Sequence, residues 1–266
     1  MDYIIQKYHS LVKDFKEIEN ESGEQEIHDK RVILRRIFPI LSALKIKPSK
    51  LKNGEKAFHI FGKLRDVQVQ IMHLESCETN PETAGYLTFI KEKEHKLREK
   101  VRKFGKKKKL KFPKVKKKAK INFFKTYNKA SIMCNNLVEM AQPENITDTT
   151  DIHHIRVQLK KFRYNIEILS YIESTNTANA DKLKPYQDLL GEIHDYDVLM
   201  EGFEKFYTKR NEGILPDLEI FEKKQNALID AFENDLESFI EICQSAIRFD
   251  KSAENELKNQ DFGKSN

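Results

Sequence analysis

Apolar residues recur at helical spacing along almost the whole chain. Near the N-terminus, Ile4, Tyr8, Leu11, Phe15 and Ile18 follow one another at steps of four and three. The same spacing returns in segments 60–74, 87–104, 123–137, 189–207 and 218–232. Side chains three and four residues apart share one face of a helix, so each segment is predicted to be an amphipathic helix with that face in a core.

Prolines mark the breaks between these helices. Pro48, Pro81, Pro143 and Pro216 each stand where a helix should begin or has ended. The pattern predicts four helices before about residue 105 and four after about residue 118. The expected fold class is therefore all-α, with two four-helix bundles related by an internal pseudo-twofold axis.

Part of the sequence is repeated, which supports this duplicated arrangement. The matching segments are 27–38 with 152–163 and, downstream, 62–66 with 191–195. In the first pair His153 lies 125 residues after His28, and the basic residues that follow each histidine also align. A helix and its downstream partner that repeat together are typical of one duplicated unit.

The repeat also predicts the domain organisation. We expect a single domain over residues 1–250, made of repeat one at 1–112 and repeat two at 113–250, each with four helices. A basic linker at about 105–118 joins the repeats, and residues 251–266 form a polar C-terminal tail.

Charge is distributed unevenly between the halves. The chain of 266 residues carries a net charge of +6. Residues 151–266 contain 15 Lys and Arg against 23 Asp and Glu, so the excess of positive charge lies in residues 1–150. A concentrated positive field attracts polyanions, which predicts a partner such as a phosphate polymer or nucleic acid.

The cysteines and the apolar runs limit where the protein is expected. Cys77, Cys134 and Cys243 lie far apart and in no C-x-x-C spacing, which predicts neither a disulfide framework nor a zinc site. The N-terminus lacks a signal-peptide pattern, and no run approaches the ~20 apolar residues of a membrane span. We expect a cytoplasmic protein with no membrane partner.

Both copies of the repeated helix carry a basic face. His28, Arg31 and Arg35 share a narrow arc, with Arg36 beside it. The equivalent arc of the second copy contains His153, Arg156, Lys160 and Tyr164, flanked by Lys161 and Arg163. Like charges at these spacings repel one another. A multivalent anion that lies along the face would offset this repulsion and bind there.

Further candidates surround these faces. Asp66 and Asp195 are predicted to orient an Arg or His of the neighbouring basic face, with an ordinary helical salt bridge as the alternative, and Arg65 and His194 precede them at matching positions. A lysine-rich linker is predicted as an accessory basic surface, with Lys106, Lys107, Lys108, Lys109, Lys116, Lys117 and Lys118 at its centre. No metal constellation, cofactor motif or nucleophile–base pair is visible, so we expect no metal, no cofactor and no enzymatic turnover.

The repeated motifs resemble those of the CHAD domain, a family named for conserved histidines in an α-helical domain. The resemblance rests on two H-x-x-R-x-x-x-[RK]-[RK] helices at 28–36 and 153–161, and on Gly-x-x-Arg-Asp at 62–66 with Gly-x-x-His-Asp at 191–195. It covers nearly the whole chain and implies a helical fold with internal twofold symmetry and a central basic surface that binds inorganic polyphosphate. It also implies polyphosphate contacts at His28, Arg31, Arg35, Arg36, His153, Arg156, Lys160, Lys161 and Arg163, to which the basic arcs add Arg65 and Tyr164.

Two other functions stay open at this point. The first is a nucleic-acid-binding helical protein, although single-strand binders usually interleave aromatic and basic residues, and the chain has no Trp. The second, less favoured, is a phosphohydrolase that acts on polyphosphate. The expected location is the cytoplasm, in association with polyphosphate granules.

Overall fold

The described part of the protein is helical. The computed structural model describes residues 2–18, 23–77, 81–107, 110–115, 123–173, 178–210 and 218–248. Within these ranges the only β-type contact is an isolated antiparallel bridge between Lys52 and Lys111. The all-α fold class is confirmed. The predicted C-terminal tail at 251–266 lies outside the described residues.

Four helices precede the linker, as the sequence predicts. They are α1 (Asp2–Glu17), α2 (Glu24–Ala43), α3 (Gly54–Glu75) and α4 (Pro81–Lys107). The amide of Gly23 donates to the Glu26 carboxylate at 2.9 Å, which satisfies a free donor at the start of α2. This contact fixes the beginning of the helix that carries His28.

After the linker the described residues form six helices, so the predicted count of four is wrong. They are α5 (Phe123–Met140), α6 (Thr149–Glu173), α7 (Ala178–Lys182), α8 (Lys184–Lys209), α9 (Glu219–Glu233) and α10 (Leu236–Ala246). Pro185 lies at the start of α8 and separates it from the short α7. Asp235 leaves helical geometry between α9 and α10 and accepts a hydrogen bond from the Tyr186 hydroxyl at 2.6 Å.

The apolar core divides into two clusters whose boundary does not coincide with the linker. One cluster is built on α1–α4 and the other on α5, α7 and α10. Both α6 and α8 contribute to the two clusters at once. In α8, Leu190 and Ile193 belong to the second cluster, whereas Tyr196 and Phe203 belong to the first. These two helices therefore join the halves through apolar packing, which stabilises their relative placement.

This packing brings the repeated motifs together. The helix α2 packs against α3 and α6, while α8 packs against α6 and α3. All four helices that carry the repeated motifs thus surround one central space. In the described ranges, no helix combines the length and apolar character that crossing a membrane demands.

Candidate functional site

A cavity of about 630 Å³ opens between α2, α3, α6 and α8. We call it the central trough. Among the residues that line it are His28, Arg31, Arg35, Arg65, Asp66, Arg156, Lys160, His194 and Asp195. Each half of the chain contributes one basic helix and one following helix, so basic residues that are 125 positions apart in sequence meet in one space.

Arg31 and Arg156 are the most unusual members of the trough. The Nε of each is buried and has no hydrogen-bond partner, and the two residues occupy equivalent positions in the repeated helices. Burial lowers the pKa of Arg31 to about 10 and also lowers the pKa of Arg156, with further repulsion from Arg35 in both cases. A buried donor without an acceptor is costly, so both groups favour an anion in the trough.

Lys160 lies beside these arginines and loses much of its basicity. Burial lowers the pKa of Lys160 to about 7, and repulsion from Arg156, Arg35 and Arg31 adds to the effect. At neutral pH its amine is therefore only partly protonated in the empty trough. A bound polyanion would restore the charge, because it replaces repulsion with attraction.

The histidines take two different positions. His28 lines the trough directly, and its pKa is lowered by desolvation and by Arg65. His153 sits behind His194, with 3.3 Å between the two Nδ1 atoms. Burial and neighbouring cations lower the pKa of His194 to about 4 and also lower that of His153. Both rings are thus neutral at pH 7, and one Nδ1–H donates to the other Nδ1.

The two predicted orienting carboxylates lie in the trough wall. Desolvation raises the pKa values of Asp66 and Asp195, although nearby Arg31 and Arg156 act in the opposite direction. The side chain of Asp66 is solvent-accessible, but the concave wall around it displaces much of its water. Among the described residues neither carboxylate forms an ion pair within 4.0 Å. Their influence on the arginines is a longer-range attraction, and a direct orienting contact stays a prediction.

Arg65 is held at the trough by an acidic residue. Its guanidinium donates to the Glu24 carboxylate at 2.5 Å, where Glu24 is in the first turn of α2. The Arg65 side chain is 22% exposed and that of Glu24 is 56% exposed. Glu24 is therefore positioned to compete with any anion for Arg65.

Several predicted contact residues lie outside the trough. Arg36 points to the buried carboxylate of Glu167, with 3.7 Å between Nε and Oε1. Arg163 is only 7% exposed and donates to the Ala180 carbonyl at 3.2 Å and to Gln187 at 3.0 Å. Both guanidinium groups thus have protein acceptors, and neither residue lines the trough, so ligand contact by these two residues stays an untested prediction.

The remaining predicted residues are more dispersed. Lys161 is exposed but is rotated about 100° from Lys160 around α6 and does not line the trough. Tyr164 lines a separate, smaller cavity. In the linker, Lys106 is exposed at the end of α4. The side chain of Lys107 and all of Lys108, Lys109, Lys116, Lys117 and Lys118 lie outside the described residues, so the accessory surface stays a prediction.

The sequence reasoning missed the acidic side of the trough. Asp188 and Glu192 line it, and both precede Asp195 on α8 at helical spacing of seven and three. His73 lines the far end, buried against the ring of Tyr196 at 4.5 Å between centroids. The helical spacing of Asp188 and Glu192 relative to Asp195 could have indicated that all three share one face of α8. The trough therefore has a cationic wall on α2 and α6 and an acidic rim on α8.

The described residues contain no group of three His, Cys, Asp or Glu side chains arranged to share a metal ion. Three buried cysteines are free thiols. The chemistry that the site offers is thus electrostatic and hydrogen-bonding, through guanidinium, ammonium and imidazole groups.

Two comparisons with known proteins found a match. The family profile described as the CHAD domain matches residues 5–203, which include all of α2–α7 and most of α1 and α8. The crystal structure of the CHAD domain from the plant Ricinus communis is similar, with a TM-score of 0.55 over 91% of this chain and 87% of that chain. The two sequences are 13% identical, so this likeness concerns the fold alone. No curated protein sequence matches the chain.

Proposed function

Because the chain belongs to the CHAD domain family, we propose that its central trough binds inorganic polyphosphate without hydrolysing it. The observation that carries this proposal is the pair of buried, unpartnered Nε atoms of Arg31 and Arg156. Phosphate oxygens are strong acceptors for guanidinium groups, so one polyanion would satisfy both donors at once.

The composition of the trough suits a flexible phosphate chain. Arg31, Arg35, Arg65, Arg156 and Lys160 are five basic residues that line one space, and they come from both halves of the chain. Each polyphosphate unit carries about one negative charge, so recognition depends on a track of positive charge rather than on shape. The acidic rim formed by Asp188 and Glu192 would keep the ligand against α2 and α6.

We propose that the central trough arose by duplication of one helical unit. We infer that repeat one at 1–112 and repeat two at 113–250 are copies of one helical unit related by a pseudo-twofold axis. The matching offsets of His28 with His153 and of Arg31 with Arg156 support this inference. In the second copy, α9 and α10 together would then correspond to α4 of the first.

We also propose that the protein does not hydrolyse the bound polyphosphate. The trough offers cations that stabilise bound phosphate, and neither Asp66 nor Asp195 makes a hydrogen bond with a neighbouring histidine or lysine among the described residues. Among the described residues that line the trough there is no Ser, Thr or Cys that could act as a hydroxyl or thiol nucleophile. We also propose a cytoplasmic location on polyphosphate granules, which colocalisation of the tagged protein with stained polyphosphate would test.

A competition titration tests the proposed ligand. Labelled polyphosphate is bound to the purified protein at physiological salt and then displaced with unlabelled polyphosphate, single-stranded RNA or duplex DNA. We expect polyphosphate to displace the label at far lower phosphate concentration than either nucleic acid. Equal or better displacement by RNA or DNA would instead identify a nucleic-acid-binding protein. Sustained phosphate release with added Mg²⁺ or Mn²⁺ would identify a phosphohydrolase.

A further inference from the structure

A second cavity involves the same two basic helices, α2 and α6. It has a volume of about 250 Å³ and is formed where the C-terminal part of α2, the beginning of α5 and the middle of α6 meet. We call it the side groove, and the lining residues used below are Pro39, Ser42, Lys45, Lys125, Lys129 and Tyr164. No residue of this groove belongs to the lining of the trough.

The side groove continues the path of the trough along both of its basic helices. On α2, Pro39 lies four residues after Arg35, and on α6, Tyr164 lies four residues after Lys160. Residues four apart on a helix share a face and are separated by about one turn, or roughly 6 Å. Both walls of the trough therefore extend by one turn into the groove, so a chain leaving Arg35 and Lys160 arrives beside Tyr164.

The groove is more uniformly cationic than the trough. Lys45, Lys125 and Lys129 line it, and no Asp or Glu is among its described lining residues. The trough, in contrast, includes four carboxylates in its walls. Lys45 and Lys129 line the same small space, and an anion between them would lower the repulsion between their charges.

Local structure fixes the lysines around this space. Lys45 follows the end of α2 with a φ of 57°, and its amide donates to the Ser42 carbonyl at 3.0 Å. Lys125 and Lys129 are one turn apart on the exposed side of α5, near its N-terminus.

From this geometry we propose that the side groove is a second anion subsite, which binds the phosphates of a polyphosphate chain as they leave the central trough. The inference rests on the proposed function, because the same ligand occupies both sites. The Tyr164 hydroxyl, at the junction, would donate to a bridging phosphate oxygen. Lys45, Lys125 and Lys129 would neutralise the phosphates that follow.

A chain that spans two linked sites gains affinity through effective concentration, whereas a short ligand fills only one site. The length of the polyphosphate chain should therefore affect its affinity for the protein. Long-chain polyphosphate should engage both the trough and the groove, whereas tripolyphosphate should occupy the trough alone.

The test compares these two ligands on the full-length protein. In the K125Q/K129Q variant, we expect affinity for long-chain polyphosphate to fall about tenfold and affinity for tripolyphosphate to change by less than about twofold. The matched control is K96Q/K100Q, which removes two exposed lysines at the same spacing on α4, away from both cavities, and should change neither affinity. The single variant K129Q should show a smaller loss in the same direction, and circular dichroism verifies that each variant is folded.

The outcomes separate the two proposals. Unchanged long-chain affinity in K125Q/K129Q, with normal binding by the wild-type protein, would overturn the side groove and leave the trough in place. An equal loss for both ligands, or an equal loss in K96Q/K100Q, would also overturn it, because the lysines would then act through general charge. Failure of the wild-type protein to bind either ligand would overturn the proposed function and the groove together.

Discussion

Arg31 and Arg156, from the two halves of the chain, line the same trough, and the Nε atom of each is buried without a hydrogen-bond partner. They lie 125 residues apart in sequence, and their Nε atoms are two of the three buried side-chain polar atoms without a partner in the described residues. Folding thus leaves two equivalent donors of the same trough without a protein acceptor. Water or an anion must complete the site.

The first prediction concerns this pair. R31Q and R156Q should each weaken polyphosphate binding by about 10- to 100-fold, because a charge-assisted hydrogen bond contributes about 1.5–3 kcal/mol. Isothermal titration calorimetry measures the change, and the equivalent positions of the two residues predict losses of similar size. The control K106Q alters an exposed lysine at the linker and should change affinity by less than about twofold. A larger loss in K106Q than in R31Q would move the binding site to the linker.

The second prediction concerns pH. The pKa of Lys160 is about 7 in the empty trough, and a bound polyanion would raise it. The cationic form binds better, so its contribution is fully present below about pH 7 and is lost as the pH rises through the pKa of the bound state. We expect affinity to fall about tenfold between pH 7 and pH 9.

The variant K160R separates this effect from general charge. Arginine keeps its proton over this range, so the affinity of K160R should be nearly constant between pH 7 and pH 9. Proton uptake on binding, measured by calorimetry in buffers of different ionisation enthalpy, should be present in the wild type near pH 8 and reduced in K160R. The same pH dependence in both proteins would refute the assignment to Lys160.

The third prediction concerns the acidic residue that competes for Arg65. E24Q should strengthen polyphosphate binding up to about fivefold, because an exposed ion pair contributes about 0–1 kcal/mol and its loss frees Arg65 for the ligand. The control is E17Q, which removes the carboxylate of the exposed Lys13–Glu17 pair on α1. Fluorescence anisotropy at low salt would detect the difference, and weaker binding in E24Q would mean that Glu24 positions Arg65 for the ligand.

Much of this site could be predicted from the sequence because helical periodicity is a local property. The spacing of His28, Arg31 and Arg35 defines one face whatever the helix packs against. The duplicate at His153 and Arg156 predicts a second face of the same kind. Four of these five positions, His28, Arg31, Arg35 and Arg156, line the trough, and His153 contacts the lining residue His194.

The remainder depends on contacts that are distant in sequence. Arg163 lies on the same helix as Lys160, but its guanidinium binds the Ala180 carbonyl of α7, a five-residue helix with no periodic signal of its own. The acidic rim was missed because Asp188 and Glu192 face the trough only after α8 packs against α3 and α6. The shared apolar cores of α6 and α8 likewise arise from packing between the halves, which a linear pattern does not encode.

The fourth prediction separates a structural arginine from the binding arginines. Arg36 faces Glu167, which is 7% exposed and also accepts a hydrogen bond from the Tyr171 hydroxyl at 2.5 Å. R36Q should lower the free energy of unfolding by about 1 kcal/mol, because a buried carboxylate loses its cationic partner, and this value allows for the partial exposure of Arg36. Urea unfolding measures the stability. Polyphosphate affinity should stay within about twofold of the wild type, and a tenfold loss would return Arg36 to the ligand contacts.

The fifth prediction concerns salt. A polyanion that neutralises the five cations of the trough should release counter-ions in proportion, so the trough alone contributes a slope of about −3.5 in a plot of log association constant against log salt concentration. The measurement is best made at about pH 6, where Lys160 is protonated. R35Q should reduce the magnitude of the slope by about 0.7, since one phosphate contact is lost, whereas K96Q should leave it unchanged. A slope near zero in the wild type, or an equal reduction in both variants, would contradict binding by direct neutralisation in the trough.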